Sequence, residues 1–349
     1  MSGDLERRYR RVLRLLPGWY REQWEQDMVA AFLDSWLTGD PAADEYITKA
    51  ARPSWAEVAS VAGLAIRLYL GGAATPRRYF AWGQAARNAV LTMMLVHAVL
   101  GLDVFVRLTW THRLFGWLPA APATIRAIPP GGIWGTAEYA VDCAWIMAFV
   151  VLILRYYRIA QVITVLAIVP GLVELLQAQL TGKPVALLET WTFWVLLDLV
   201  PVLAMAAFHQ DAPPTARRPW LLALPATYLL VYVPLLALQA TGHWAWVPDF
   251  PGLCCILVSL ACLAHTPAAW SRRGASSGVW SLTLALLGAV AGALQIVSKP
   301  NYLLHPHLNT VSLAELVVLL AAVALVAPDA VRAQAATPAP PPDPHTMTD

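Results

Sequence analysis

Long apolar runs dominate the chain after a more polar first quarter. Each run is close to the ~20 residues that a helix needs to cross the hydrocarbon core of a bilayer. We place these runs at 88–108, 134–154, 159–180, 189–209, 219–240, 250–266, 278–298 and 311–328. The pattern therefore predicts an all-α protein, a polytopic helical membrane bundle of about eight spans.

Residues 1–75, called the prefix below, show shorter amphipathic periodicity and predict a small helical domain. Pro17-Gly18 separates its first two helices, and Ser54 with Glu57 forms an S-x-x-E capping box that starts a third. We expect a hinge at 76–87, the transmembrane bundle at 88–328 and a disordered, Ala-Pro-rich tail at 329–349.

Charge then orients the predicted spans. Of the 349 residues only 13% are charged, whereas a soluble domain has about 25%. With eight spans, one side of the membrane carries nineteen of the basic residues and the other side carries five. The positive-inside rule therefore predicts a plasma-membrane protein with the prefix and the C-terminal tail in the cytoplasm. The net charge of +2 is too small to suggest direct nucleic-acid binding.

Ionisable residues within apolar spans are the candidates for ligand binding, since each costs about 2.5–3.5 kcal/mol at a helix centre on insertion scales. They lie mostly in the outer halves of the predicted spans. One interpretation is an outward-facing cavity for a cation, a proton or a polar ligand, and the other is structural pairing or contact with headgroups. The ionisable residues within the predicted spans are His97, Asp103, Arg107, Glu138, Asp142, Glu174, Asp198 and Glu315, and all of them except His97 are taken as candidates for ligand binding.

Catalytic and metal-binding patterns are missing from the sequence. It contains no HExxH, GxSxG or P-loop motif, and the four cysteines show no CxxC spacing. His305 and His307 form a His-x-His pair without a third ligand within sequence reach. We therefore expect no enzymatic activity, no cofactor and no metal site.

The N-terminal segment from Leu5 to Glu22, followed by Glu25, Met28 and Phe32-Leu33, resembles the HAAS or permease-prefix domain. That module shows a basic Y-R-x-L-L-x-x-L-P opening, an aromatic-Arg pair and a Glu…Met helix. The resemblance implies a cytoplasmic helical module fused to a bacterial membrane domain. Such proteins are often encoded beside PadR-type regulators, which implies signalling or a regulated permease.

Two functions follow from these patterns. The first is a regulatory or sensory membrane protein whose prefix docks a cytoplasmic regulatory protein, with membrane lipid around the bundle. The second is a permease or permease subunit that uses the acidic residues. For the first, the candidate docking residues on the second helix are Tyr20, Arg21, Trp24 and Met28.

Overall fold

The structure is a computed structural model, and every regular element in the residues it describes is helical. The prefix contains three of these helices. They are α1 (Asp4–Leu13), α2 (Gly18–Trp36) and α3 (Trp55–Tyr69). The described residues are 4–36, 40, 46–47, 51–71, 75–111, 116, 120, 132–182, 185–208, 216–242, 248–271, 275–298 and 306–335.

The three prefix helices enclose a small apolar core of their own. Leu5 and Leu13 of α1 are fully buried, and the ring of Tyr9 stacks on Phe32 of α2 with 3.9 Å between ring centroids. Val61 of α3 is also buried in this core and packs against the residues of α1 and α2. The amphipathic face of each helix is therefore covered by the other two.

The start and the end of α3 are both well defined. Ser54 accepts a hydrogen bond from the Glu57 backbone N–H, and the Glu57 carboxylate accepts one from the Ser54 N–H, so the predicted capping box is confirmed. At the other end Leu70 is the C-cap, and Gly71 takes the left-handed conformation with φ of 68°. A glycine there lets the chain turn sharply toward the next helix.

Nine further helices are described after the prefix, and they pack together as a bundle. In the part of the chain that the structure describes, six helical segments are long and apolar enough to cross a membrane. Shorter apolar stretches at Val141–Ile153 and Val195–Ala207 lie in helices that overlap the predicted runs 134–154 and 189–209. The helices are α4 (Arg77–Thr111), α5 (Gly132–Ile153), α6 (Tyr157–Leu180), α7 (Val185–Ala204), α8 (Arg217–Thr227), α9 (Val233–Ala240), α10 (Phe250–Ser271), α11 (Ala275–Ser298) and α12 (Pro306–Ala335).

The main core of the bundle lies between α4, α5, α6 and the end of α7. Met94 of α4 and Phe149 of α5 are fully buried there, together with Met205 just after α7. Gly101 of α4 lies against the backbone carbonyl of Asp142, so the absence of a side chain lets α4 and α5 approach closely. The helices α10, α11 and α12 pack on one another, and α11 also packs on α4.

The surface of the bundle is largely apolar. Leu222 is 68% exposed, Leu230 78% and Val317 64%. Soluble proteins rarely expose contiguous apolar surface on this scale. Together with the six long apolar helices, this surface establishes a multi-pass helical membrane protein.

Two predicted boundaries are wrong. Residues 77–87, predicted as a hinge, form the first turns of α4, because Pro76 precedes the helix and no second proline follows to interrupt it. Residues 329–335, predicted as disordered, continue α12 past Pro328. The rest of the predicted tail, from 336 onward, lies outside the described residues.

The helix between Arg217 and Ala240 also departs from regular geometry. Residues Tyr228–Tyr232 form a π-helical turn that joins α8 to α9. Pro225 and Pro234 flank this turn, and a proline removes a backbone hydrogen-bond donor from the helix.

Two ends of the bundle are distinguished below. The prefix end holds the start of α4, the loop Leu154–Tyr156, and the residues that follow α7. The far end holds the last turns of α4 and α9 and the first turns of α10 and α12.

Candidate functional site

The prefix is joined to the bundle by a tight backbone contact at Gly83 of α4. A Cβ atom at Gly83 would overlap the carbonyl group of Leu70 and would lie 3.1 Å from the Gly71 nitrogen. At Gly71 a Cβ atom would likewise overlap the backbone of Tyr79 and Phe80. The C-terminal end of α3 therefore lies directly on the backbone of the first long bundle helix.

Arg87, one turn further along α4, is fully buried beneath this contact. Its Nη1 donates to the carbonyl oxygens of Leu70 and Gly71, both at 3.3 Å, and to that of Ala207 at 3.5 Å. Its Nη2 donates to Gln84 Oε1 at 2.9 Å. One guanidinium group thus links the end of α3, α4 and the end of α7. The contact region around Gly83 and Arg87, where these three segments meet, is called the joint below.

The chemistry of the joint explains why an arginine is buried there without an ion pair in the described residues. Its acceptors are carbonyl groups at or just beyond the C-terminal ends of α3 and of the 3₁₀ turn Met205–Ala207. Carbonyls at a helix C-terminus lack partners within the helix and carry the negative end of its dipole. A planar guanidinium with five donors can satisfy several of them at once.

The predicted docking residues of α2 divide between the core and the surface. Tyr20 and Met28 pack partly against the prefix core, whereas Trp24 is 43% exposed. Arg21 is half-buried, and its Nε atom lies buried without a hydrogen-bond partner. The exposed part of this set is therefore centred on Trp24, whose ring lies 6.5 Å from that of Tyr20.

Asp198 of α7 pairs with His97, the buried histidine of α4. His97 Nε2 lies 3.0 Å from Asp198 Oδ1, and His97 Nδ1 lies 2.8 Å from the carbonyl oxygen of Met93. A carbonyl can only accept, so Nδ1 carries a hydrogen. The second hydrogen bond then also needs a proton, held by either the imidazole or the carboxyl group. The hydrogen bond between His97 and Asp198 therefore links α4 to α7, and the His97 ring packs 4.3 Å from that of Trp145.

Asp103 and Arg107 form the ion pair on α4 that their spacing predicts. Arg107 Nε donates to Asp103 Oδ2 at 2.7 Å, and its Nη2 donates to Gln239 of α9 at 2.7 Å. Asp103 Oδ1 is buried without a hydrogen-bond partner in the described residues. This arrangement ties α4 to the helix that contains the π-helical turn.

Glu315 of α12 belongs to a separate polar group at the far end. Gln295 of α11, which is fully buried, donates through Nε2 to Glu315 Oε2 at 2.7 Å and to Ser312 Oγ at 2.9 Å. Asp249 caps α10 by accepting from the Gly252 N–H at 3.0 Å. A Cβ atom at Gly252 would lie 2.6 Å from Asp249 Oδ1 and 2.7 Å from Glu315 Oε1, so both carboxylates use the space that this glycine leaves open. Burial raises the pKa of Asp249, and the backbone N–H of Gly252 opposes that shift.

The remaining acids predicted from the sequence do not belong to any of the polar groups described above. Asp142 is half-buried on α5, where its backbone meets Gly101, and Glu174 is half-buried on α6. Glu138 lies on α5, but its side chain is outside the described part of the chain, as are those of His305 and His307. Among the described residues, no three His, Cys, Asp or Glu side chains are grouped to hold a metal ion.

Several polar residues of these groups were not among the sequence candidates, including Arg87, Gln239, Asp249 and Gln295. Arg87 and Asp249 lie just outside the predicted runs 88–108 and 250–266, so they were not counted as residues within the membrane. Gln239 and Gln295 are uncharged, and a search limited to ionisable side chains passes over them. A search for every amide within an apolar run would have found both.

Comparisons with known proteins do not assign these groups to a family. No protein-family model matches the chain, and no curated protein or solved structure is significantly similar to it.

Proposed function

We propose that this chain is an integral membrane protein of regulatory or sensory type, without catalytic activity of its own. In this proposal the prefix docks a cytoplasmic regulatory protein, and the bundle anchors the prefix and transmits a signal to it. The observation that supports it best is the joint. Because the end of α3 lies on Gly83 and shares Arg87 with the end of α7, a movement of α4 or α7 is passed directly to the prefix.

The proposed topology has eight spans, with the prefix end in the cytoplasm of a cell whose plasma membrane holds the bundle. Helices α5 and α7 would complete the six segments that already meet the length and composition of a span. Arg155, Arg158 and Arg217 all belong to the prefix end, which fits the positive-inside rule.

The proposed docking surface is the exposed side of α2 around Trp24. An exposed tryptophan next to Arg21 is the kind of residue pair that contributes strongly to protein interfaces. The resemblance of this segment to the permease-prefix domain supports the same role.

The test compares proteins that co-purify with the full-length chain and with a chain lacking residues 1–75, both extracted from native membranes. We expect a soluble partner that is captured only when the prefix is present. Trp24→Ala should reduce that capture, whereas the control Gly63→Ala, on α3 with open space around the glycine, should not. If no partner depends on the prefix, or if Trp24→Ala binds as the control does, the docking proposal fails.

A permease or permease subunit is the second proposal. It is supported by the ionisable groups held within the bundle, above all the hydrogen-bonded pair of His97 and Asp198. Under this proposal Asp142→Asn or Asp198→Asn abolishes a transport phenotype that deletion of residues 1–75 leaves intact. Under the regulatory proposal, deletion of residues 1–75 impairs function far more than either Asp substitution does.

A further inference from the structure

Helix α3 carries a second apolar stripe beside the face that it buries in the prefix core. Its buried residues are Val61 and Ala65. Trp55 is 88% exposed, and Ile66 and Tyr69 are each 45% exposed. At about 100° per residue, these three exposed side chains fall within about 60° of one another and roughly a quarter turn from the buried pair. They are called the outer stripe below.

The contact between α3 and α4 places the end of α3 at the border of the membrane. Gly83, on which α3 ends, lies about 9 Å along α4 from Arg77. Because α4 extends about 52 Å and a hydrocarbon core is ~30 Å thick, a centred α4 leaves about 11 Å outside the core at each end. Gly83 therefore lies near this border. Trp82 beside it is 39% exposed, and tryptophan is enriched at membrane interfaces.

The outer stripe continues into the exposed surface of the bundle. The ring of Tyr69 lies 5.8 Å from that of Tyr79 on α4, and Trp82 follows Tyr79 by three residues on the same helix. With 15 residues, α3 extends only about 22 Å, which is too short to cross a hydrocarbon core. A helix of this kind can instead lie in the interface with its apolar stripe turned toward the lipid.

The charged side chains around the outer stripe are basic. Four exposed arginines lie just before α3, in its last turn or in the first turn of α4: Arg52, Arg67, Arg77 and Arg78. None of them forms an ion pair with a described side chain. Glu57, the acidic residue of α3, is held by α2, since it accepts a hydrogen bond from Trp36 Nε1 at 3.1 Å. This distribution of charge is complementary to an anionic surface.

We propose that α3 lies flat on an anionic phospholipid surface at the prefix end. The outer stripe inserts among the lipid headgroups, and the four arginines bind their phosphate groups. This contact is independent of the proposed regulatory function, because the docking surface for a protein is centred on Trp24 of α2. Purified protein in nanodiscs contains no soluble partner, so each proposal can fail alone.

The experiment measures the depth of α3 in the full-length protein, in nanodiscs of phosphatidylcholine with phosphatidylglycerol. A nitroxide label is attached through Ala59→Cys or through Ser60→Cys. Both positions are exposed but point about 100° apart, and Ala59 lies one turn after Trp55 on the side of the outer stripe. Signal from the native cysteines, which all belong to the bundle, is measured in the unaltered protein and subtracted.

We expect opposite collision rates at the two labelled positions. Oxygen concentrates in the bilayer, whereas a water-soluble nickel chelate does not enter it. The label at position 59 should therefore collide mainly with oxygen, and the label at position 60 mainly with the chelate. In nanodiscs of phosphatidylcholine alone, the ratio of lipid-bound to free α3 should fall at least fivefold, because each arginine near an anionic surface contributes about fivefold.

Two variants separate the role of the stripe from that of the arginines. Trp55→Ser removes an exposed ring that is not part of the prefix core, and it should increase collisions of the position-59 label with the nickel chelate. Arg67→Gln removes one charge and should lower the ratio of bound to free α3 about fivefold. The control Gln23→Ala, at an exposed and uncharged position of α2, should leave the depth unchanged.

Three results would overturn the proposal. If the label at position 59 met the nickel chelate as often as the label at position 60, the outer stripe would face water and be free for a protein partner. Equal shielding of both labels would mean that α3 is enclosed on all sides rather than lying on a surface. An unchanged depth without phosphatidylglycerol and in Arg67→Gln would overturn the assignment of an anionic surface.

Discussion

Replacing Gly83 by alanine should release the prefix from the bundle. Gly83 lies within α4, where alanine normally favours the helix by up to about 1 kcal/mol. Here the new Cβ atom would overlap the carbonyl group of Leu70. The obstruction is backbone, which cannot rotate away as a flexible side chain can, so the end of α3 must move.

The expected cost follows from what that movement breaks. Overpacking of a well-packed contact typically costs about 1–3 kcal/mol. Arg87 also loses its bonds to the carbonyls of Leu70 and Gly71, and a hydrogen bond to a charged group contributes about 1.5–3 kcal/mol. After the gain in helix propensity, we expect the joint to open more easily by about 2 kcal/mol or more, which is roughly a 30-fold change in the opening equilibrium.

Amide hydrogen exchange of the full-length protein in nanodiscs measures this opening directly. The Leu70 N–H, which donates to the Ile66 carbonyl at 2.9 Å, reports on the end of α3. In Gly83→Ala it should exchange roughly 30-fold faster, while amides of α6 keep their rates. Gly63→Ala adds the same methyl group to α3 in open space and should slow exchange or leave it unchanged.

One result would refute this reasoning about the joint. If the Leu70 amide of Gly83→Ala exchanged as slowly as in the unaltered protein, the contact between α3 and α4 would not be as close as the structure has it. The coupling of prefix and bundle would then lose its main support.

Three further predictions concern the buried polar side chains. Arg87→Leu leaves carbonyls at two helix ends without their donor, and it should lower the stability of the fold by about 2–4 kcal/mol, measured by thermal unfolding in neutral detergent. Asp198→Ala should remove the hydrogen-bond partner of His97 Nε2 and shift the signal of that nitrogen in the NMR spectrum of labelled histidine, whereas an unchanged spectrum would refute the pairing. Burial, with a smaller contribution from Glu57, raises the pKa of Tyr9 above its ordinary 10.0. Prefix stability should therefore be complete below pH 10.0 and fall as the pH rises toward the higher folded-state pKa. Circular dichroism of the full-length protein should show this fall, and Tyr9→Phe should remove its share of it.

Features set by local sequence were predictable. The capping box of Ser54 and Glu57 needs only residues three apart, and the ion pair of Asp103 and Arg107 needs only residues four apart. The positions of the long helices follow from length and composition in the same way. These interactions depend little on how the helices are arranged.

Features that depend on the meeting of distant segments were not predictable. Arg87 is buried because residues 70, 71 and 207 converge on it, and nothing in its immediate sequence indicates that. The same holds for Asp249 and Glu315, which meet across two helices in the space beside Gly252. The sequence identifies which ionisable residues lie in the apolar spans, but it does not identify their partners, because these depend on tertiary packing.

The length of α4 gives the joint a mechanical consequence. Its 35 residues extend about 52 Å, well beyond the ~30 Å of a hydrocarbon core. The prefix is attached near one end of this rod, and the Asp103–Arg107 pair lies near the other. Gly83 lies about 16 Å from the middle of the helix, so a tilt of roughly 10° about that middle would displace the contact with the prefix by roughly 3 Å. Under the proposed regulatory function, α4 is a rigid rod, and a tilt of its membrane-spanning part moves the prefix as a unit.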